Sequence, residues 1–356
     1  MQAKCCAKCF GDRELRKNLI PLKNPIRGDC GYCKSIDVDI LHPSDLANYF
    51  ETLIEIYEPD PNGKSLVEWM KEDWDLFSHP NMGIPNAQVL LGEILDDGDI
   101  VRRNFSPSGS YKSEGLIRWE TLRDELRYTN RYFLDQALDF ERLSALLGQL
   151  IADDIPNNWF RARIASGDAN FTVHDMGAPP KSLASHGRAN PVGIPYLYLG
   201  SKPETAIAEI RPHTGETAFV ADFTITDPVR IVDLRNPRSF VSPFIWSDAV
   251  DVAQLRADIP FLERLGQELT RPVLPRSAAI DYIPSQYLCE FIKKSGFDGV
   301  AYSSSVSDGI NLALFDPTKA VVGNVRKFDV TRVSVAVCCV SSPESTPSSG
   351  VESNAV

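Results

Sequence analysis

Two pairs of cysteines near the start of the chain share the C-x2-C spacing. Cys6 and Cys9 form the first pair, Cys30 and Cys33 form the second, and 20 residues separate the pairs. This spacing is typical of a structural zinc site, because each pair can form a tight turn and four thiolates surround one ion tetrahedrally. Such a site has no open position for a substrate, so the predicted zinc is structural. Cys5 is left over, and a register that uses Cys5 stays open.

Composition limits the class of protein. The 356 residues are 43% hydrophobic and 24% charged, which is typical of a soluble globular protein and not of a fibrous or wholly disordered one. The first residues lack the apolar segment of a signal peptide, and no uncharged apolar run approaches the ~18 residues that a membrane span needs. We therefore expect a cytoplasmic protein without a membrane partner, in which disulfides do not form.

Charge limits the partners. The formal net charge of -11 argues against a general nucleic-acid-binding surface, because phosphate binding relies on clustered lysine and arginine. Residues 1–34 are the exception, since they hold eight basic residues against three acids. This basic segment can contact nucleic acid or an acidic partner, or it can be an ordinary solvated face.

The spacing of apolar residues changes once along the chain. Between residues 35 and 150, apolar residues recur at helical spacing in LANYFETLIEIY, SLVEWMKEDWDLF and TLRDELRYTNRYFLDQALDFERLSALLGQLI, which predicts a helical bundle. From residue 151, short apolar runs alternate with turn signals, which predicts strands. Two helices are predicted among these strands: one follows a capping box that starts at Ser201, and the other ends at Gly296 in a left-handed conformation.

The predicted fold class is therefore α+β, preceded by a small four-cysteine zinc module and a mainly helical domain. The final residues have the composition of a disordered tail. The predicted divisions are a zinc-binding module at 1–34, a helical domain at 35–150, the α+β domain at 151–330 and the tail at 331–356.

Residues 187–210, GRANPVGIPYLYLGSKPETAIAEI, hold several chemically useful side chains within a short stretch. Arg188 precedes a turn rich in glycine and proline, Tyr198 lies on a predicted strand, and Glu209 lies on the helix that follows. A strand and the helix after it can bring these side chains to one cleft. Taken singly, each has an ordinary explanation as a surface arginine, a core tyrosine or an exposed helix acid.

This segment resembles the central motif of the RES domain, a family named for Arg, Glu and Ser residues. The run FRAR at 160–163 resembles the opening strand of that family. The run YSSS at 302–305, followed by Gly309 and Asn311, resembles its closing motif. The three motifs span residues 155–320 in the order that the family has.

The first part of the chain carries a second resemblance. CAKCFGD and CGYC are similar to a zinc-and-helix segment that precedes some RES domains and is sometimes grouped with HEPN-like helices. The arginine-to-histidine motif of HEPN ribonucleases is absent from residues 35–150. The resemblance therefore implies a scaffold or sensor for the helices, and no nuclease.

The RES resemblance implies a fold related to ADP-ribosyltransferases and an enzyme that consumes NAD, often by phosphorolysis. Members of the family are toxins that are paired with an antitoxin. For this chain the resemblance implies NAD and inorganic phosphate as small-molecule partners, and a toxin or antiphage-defence effector that is held by an antitoxin or awaits a trigger protein.

The resemblance also implies roles for particular residues. Cleavage of the nicotinamide–ribose bond passes through an oxocarbenium-like state, which a carboxylate stabilises, and Glu209 fits that role. An arginine can bind the pyrophosphate bidentately, with Arg161 as first choice and Arg188 as second. Tyr198 can supply an aromatic face beside the nicotinamide.

A serine hydroxyl is expected to hold a phosphate oxygen or the attacking group. Ser304 aligns best with the family serine, and Ser303 and Ser305 stay open as alternatives. Asn311, in the same closing motif, is expected to bind substrate.

Several alternatives stay open at this point. No GxGxxG follows a predicted strand, so a Rossmann mode of NAD binding is not expected. Phosphate, water or a protein side chain can accept ADP-ribose, which would make the chain an NAD phosphorylase, an NAD glycohydrolase or an ADP-ribosyltransferase. An adaptor that binds a nucleotide without turnover is the alternative from another class.

Residues 1–150 are expected to regulate the enzyme, or else to complete its core or mediate a homo-oligomer.

Overall fold

The structure is a computed structural model that describes residues 3–110, 112–135, 138–165, 170–226, 228–334 and 337. Most of the tail predicted at 331–356 lies outside these residues. In the described part of the chain, every helix is too short or too polar to cross a membrane.

The strands of the described residues form three sheets. The first two are small: β1, β3 and β2 form a three-stranded sheet beside the cysteine pairs, and β4 and β5 form a two-stranded sheet. The strands are β1 Cys5–Cys6, β2 Ile26–Gly28, β3 Val38–Leu41, β4 Tyr57–Ser65, β5 Asn104–Pro107, β6 Asn158–Ile164, β7 Leu197–Gly200, β8 Thr217–Ile225, β9 Ile231–Asp233, β10 Gly299–Ser303, β11 Ile310–Leu314 and β12 Ala320–Asp329.

Helices surround these sheets, together with short 3-10 turns. A π-helical turn at Leu15–Leu19 leads into the second helix. The α-helices are α1 Ala7–Phe10, α2 Ile20–Leu22, α3 Ala47–Ile54, α4 Leu66–Trp74, α5 Ile84–Leu95, α6 Gly115–Tyr128, α7 Phe140–Gln149, α8 Pro203–Glu209, α9 Ala249–Thr270, α10 Ala278–Asp281 and α11 Ile283–Lys294.

The third sheet has seven strands in the order β12-β8-β6-β7-β11-β10-β9. Neighbouring strands are antiparallel except for β9 and β10, which are parallel. Strands β6 and β7 pair at one position only in the described residues, Phe160 with Gly200. Strand β6 pairs with β8 along its whole length, and its pairing with β7 does not extend beyond Phe160 in the described residues. A cleft lies beside this short contact.

Two hydrophobic cores involve this sheet. One cluster contains Trp159, Leu199 and Leu312 and consists mainly of residues on the strands of the seven-stranded sheet. A larger cluster extends from Cys5 to Phe315 and combines residues of the N-terminal helices with residues of α9 and α11. The N-terminal helices therefore share a continuous apolar core with the elements that follow residue 151.

Helix α9 contradicts the prediction that only two helices lie among the later strands. This helix of 22 residues contains Pro260 in its interior. A proline removes one backbone hydrogen bond and usually breaks a helix, so the sequence pattern did not predict one here. The helix persists because its own residues are buried on several sides, among them Leu255, Ile259 and Leu262.

Two local predictions also need correction. Ser201 does not cap α8, since Lys202 is the N-cap and no side chain caps it; the Ser201 hydroxyl instead accepts a hydrogen bond from the Ile310 N–H at 3.0 Å. The region 35–150 is helical but also contains the antiparallel pair of β4 and β5, which the helical pattern did not predict. The left-handed end of α11 at Gly296 is confirmed, with a φ of 85°.

Candidate active site and metal centre

The four predicted cysteine ligands lie together. The Sγ atoms of Cys6, Cys9, Cys30 and Cys33 all lie within 4.8 Å of one another, and all four residues are buried. Strand β1 and helix α1 carry the first pair, and the turn after β2 carries the second. Cys5 is buried but is not part of this group. The arrangement is able to hold one metal ion, and soft thiolate ligands suit a metal such as zinc.

The cleft beside β6 and β7 has a volume of about 350 Å³. The sheet lines it with Arg161, Tyr198 and Asn311, α8 lines it with Glu209, and the loop before β7 lines it with Arg188. A larger cleft of about 750 Å³ lies between α7 and α11. None of the predicted site residues lines that larger cleft, so the smaller one is the candidate active site.

Glu209 is held in a fixed orientation by two donors. The Ser304 hydroxyl and the Asn311 Nδ2 each donate a hydrogen bond of 2.6 Å to the same carboxylate oxygen, Oε1. The Ser304 oxygen also accepts hydrogen bonds from the N–H groups of Val306 and Ser307, at 3.2 and 3.1 Å. Within the described residues, the other carboxylate oxygen, Oε2, accepts no hydrogen bond, so it is available to a ligand.

Arg161 brings a positive charge to the same cleft. Its Nη1 donates to the Tyr198 carbonyl at 3.1 Å. Its Nε is buried and has no hydrogen-bond partner among the described residues. Burial and, to a lesser extent, the nearby Arg163 lower the pKa of Arg161 to about 10, so it still carries its charge at neutral pH. A buried cation with an unused donor is suited to an anionic ligand.

Arg188 is the second cation of the cleft. Its Nη1 donates to the Arg271 carbonyl at 2.7 Å, and its Nη2 lies 3.4 Å from the Ser305 hydroxyl. Its guanidinium carbon also lies 5.4 Å from the centre of the Tyr282 ring, within the range of a cation–π contact. These contacts fix the guanidinium at the edge of the cleft.

Tyr198 holds the loop that carries Arg188. Its hydroxyl accepts from the N–H groups of Ala189 and Asn190, at 2.9 and 3.2 Å, and donates to the Asn190 side-chain oxygen at 2.8 Å. The loop approaches so closely that a Cβ at Gly187 would lie 2.5 Å from the Tyr198 hydroxyl. Tyr198 is one of the lining residues of the cleft, and its hydroxyl positions the loop.

The structure brings most of the predicted site residues together. Arg161, Arg188, Tyr198, Glu209, Asn311 and Ser304 surround or support one cleft, and Ser305 contacts Arg188. Ser303 lies at the end of β10, paired with Ile310, and makes no described contact with Glu209. Among the three adjacent serines, Ser304 is thus the one that binds the carboxylate.

Among the lining residues without a role assigned from the sequence, three have polar side chains: His186, Tyr282 and Tyr302. Tyr302 lies in the closing motif two residues before Ser304, and alternation along the strand would have placed both on one face. Burial raises the pKa values of Tyr198 and Tyr302, so both phenols stay protonated at neutral pH. Tyr282 follows α10, and no motif of the sequence marks it.

The candidate active site lies in a segment that is similar to known proteins. No curated protein matches the chain. Among solved structures, the chain is similar to the crystal structure of the M. tuberculosis MbcT–MbcA toxin–antitoxin complex, with 15% identity and a TM-score of 0.32, over 54% of this chain and 94% of that one. Residues 158–334 match the family model of the RES domain, and this segment contains the seven-stranded sheet, helix α8 and every side chain that lines the candidate active site.

Proposed function

We propose that this chain degrades NAD by breaking the bond between nicotinamide and ribose, with inorganic phosphate as the acceptor. The observation that carries the proposal is the oriented carboxylate of Glu209, which shares one cleft with the cations of Arg161 and Arg188 inside the segment that matches the RES domain. The family resemblance supplies the substrate, and the cleft supplies groups that suit it.

The chemistry explains the need for the carboxylate. As the bond breaks, its electron pair leaves with nicotinamide and positive charge develops on the ribose, which the Glu209 carboxylate stabilises. A phosphate oxygen then forms the new bond to the ribose carbon, which gives ADP-ribose 1″-phosphate. Ser304 and Asn311 hold the carboxylate oxygen Oε1, so the charge is already oriented before the reaction begins.

The two arginines account for anion binding. NAD carries a pyrophosphate, and the proposed acceptor is also an anion. Arg161 has a buried Nε without a partner among the described residues, and Arg188 lies at the cleft edge, so the pair is able to neutralise one anionic group each. Tyr198 and Tyr302 are lining residues of the same cleft, and aromatic side chains suit a flat ring such as nicotinamide.

Product analysis tests the reaction and its acceptor. Purified protein is incubated with NAD, with and without phosphate, and the products are identified by mass spectrometry. We expect nicotinamide and ADP-ribose 1″-phosphate to appear only when phosphate is present. Free ADP-ribose in both samples would identify a glycohydrolase, and modified protein would identify an ADP-ribosyltransferase. Unchanged NAD that is nonetheless bound would favour the non-catalytic adaptor.

A freely acting enzyme of this kind would deplete the NAD of its own cell. We therefore propose that it acts in the cytoplasm as a toxin or defence effector, under control of an antitoxin or trigger protein. Depletion of cellular NAD on induced expression, and its absence in a Glu209→Gln variant, is the measurement that tests this proposal.

We also propose that the four-cysteine group binds zinc with a structural role. We expect about one zinc ion per chain in the purified protein, and loss of that ion with a lower melting temperature when Cys9 and Cys33 are both changed to serine. Metal analysis and thermal melting measure the two effects. Cys5→Ser is the matched control, because this buried cysteine lies outside the group. Zinc that persists in the double variant, or that is lost in the control, would contradict the assigned ligands.

A further inference from the structure

We propose that Arg127, on helix α6 of the N-terminal part, positions Arg188 in the cleft and thereby sets the affinity for the anionic part of the substrate. The role in affinity rests on the function proposed above. The positioning itself rests on a chain of contacts that starts at α6 and ends at the Arg188 guanidinium.

The segment from Arg271 to Tyr282 makes the contacts that reach Arg188 directly. The Arg271 carbonyl accepts the 2.7 Å hydrogen bond from Arg188, and the Tyr282 ring lies under the same guanidinium. Ser285 adds a hydrogen bond of 2.6 Å from its hydroxyl to the Arg188 carbonyl. The position of Arg188 therefore depends on where this segment lies.

The segment is held together by the Arg271 side chain. Its Nη2 donates to the Asp281 carbonyl at 2.8 Å, and its Nε lies 3.3 Å from the Glu268 carboxylate. The Glu268 side chain is fully buried, and Arg123 of α6 also faces it, with its Nε at 3.1 Å. Helix α6 thus already contributes one cation to the buried group that holds Arg271.

Arg127 lies one turn further along α6 and is the second cation of this helix that contacts the segment, through Asp281. Its Nη2 donates to the Asp281 carboxylate, and both side chains are only about 15% exposed. Without Arg127, the nearest remaining cation is Arg271, whose Nη2 lies 3.7 Å from that carboxylate. Arg127 thus ties the Asp281 end of the segment to helix α6, and its loss would free the neighbouring Tyr282 and the guanidinium of Arg188 that lies over the Tyr282 ring. Loss of the main cationic partner of a mostly buried carboxylate is costly, so we expect this end of the segment to shift until Asp281 reaches water or another donor.

Steady-state kinetics of the full chain test the effect on substrate. For Arg127→Ala we expect KM for NAD or phosphate to rise about 10-fold, the size of one lost hydrogen bond to a charged group, with kcat within about twofold. Arg127→Lys keeps the charge and should restore part of the affinity. Arg118→Ala is the matched control, because Arg118 lies on the exposed face of α6 and pairs with Glu114. A fall in kcat without a change in KM would overturn the proposal.

A double variant asks whether Arg127 acts through Arg188. In the Arg188→Ala background, Arg127→Ala should have little further effect on KM, because the group that it positions is already gone. A merely structural role would lower activity by the same factor in both backgrounds, and that result would overturn the proposal.

Chemical labelling tests the positioning without using NAD. Phenylglyoxal modifies free guanidinium groups, and mass spectrometry of the peptides gives the rate for Arg188 alone. We expect labelling of Arg188 to be about 10-fold faster in Arg127→Ala than in the wild type or in Arg118→Ala. Arg127→Lys should show an intermediate rate, which covers the case in which the alanine variant does not fold.

The two readouts separate this proposal from the proposed function. Faster labelling in a chain that leaves NAD intact would support the positioning and refute only the NAD activity. An unchanged labelling rate of Arg188 in folded Arg127 variants would overturn the positioning, whatever the chain does to NAD.

Discussion

Changing Glu209 to glutamine should lower the rate of NAD cleavage by about 10²–10³-fold, which corresponds to about 2.7–4 kcal/mol of transition-state stabilisation. Glutamine keeps the size of the side chain, and its oxygen is still able to accept the hydrogen bonds from Ser304 and Asn311. The variant therefore removes the negative charge and little else. Single-turnover measurement of nicotinamide release reports the loss directly.

Two variants make this result specific. Glu204→Gln removes a carboxylate from the exposed first turn of the same helix and should leave the rate unchanged. Ser304→Ala removes one of the two donors to Glu209, so we expect a smaller loss, of about 10-fold. Turnover close to that of the wild type in the glutamine variant would show that Glu209 does not carry the reaction.

Local sequence pattern was enough to predict the elements that build the cleft. Residues 160–163, 197–200 and 310–314 have strand-like runs bounded by turn residues, and each lies in a strand of the seven-stranded sheet. A strand followed directly by a helix can bring side chains to one cleft, so Tyr198 and Glu209 could be predicted to share a site, whereas Asn311 was added only by the RES resemblance. The RES resemblance added the roles proposed for these residues, which periodicity alone does not give.

Finer features depended on atomic geometry that the sequence does not encode locally. Three adjacent serines have the same chemistry, and only the turn after β10 decides that Ser304 reaches Glu209. Tyr198 was predicted to offer its ring to nicotinamide, and the structure shows in addition that its hydroxyl binds the loop at Ala189 and Asn190. This second use depends on how closely the loop approaches the strand.

Long-range contacts explain most of what could not be predicted. Helix α9 has a proline in its interior, and its burial between the N-terminal helices and the sheet outweighs the local cost. The ion pair of Arg127 with Asp281 joins residues 154 positions apart, and that pairing exists only after α6 and α10 have packed. Sequence patterns report local periodicity and do not report such pairs.

The same packing makes a prediction about the residues 151–356 expressed alone: we expect them not to form a stable, soluble domain. Phe244 packs on Phe50 with ring centres 5.0 Å apart, and Phe291 packs on Phe140 at 4.9 Å. Phe261 lies against Gly115, within about 3 Å of where a Cβ would stand. Removal of residues 1–150 would expose all three phenylalanines.

The energetic cost is large compared with the stability of a domain. Each large apolar side chain that returns to water costs about 1.5–3 kcal/mol, so the two buried ones, Phe244 and Phe261, alone cost roughly 3–6 kcal/mol. A typical domain is stable by only about 5–15 kcal/mol. The fragment would also expose the apolar face of α9, which favours aggregation.

Expression of residues 151–356 with and without residues 1–150 supplied as a second chain measures this effect. We expect the fragment alone to be insoluble or to melt without cooperativity, and the two fragments together to co-purify and to recover NAD cleavage. This outcome would mean that residues 1–150 complete the core of the enzyme. If the fragment alone were soluble, melted cooperatively and cleaved NAD faster than the full chain, the N-terminal part would instead be a regulator that restrains an independent catalytic domain. Because Arg123 and Arg127 of α6 also hold the segment under Arg188, we expect even a folded fragment to bind NAD more weakly than the full chain.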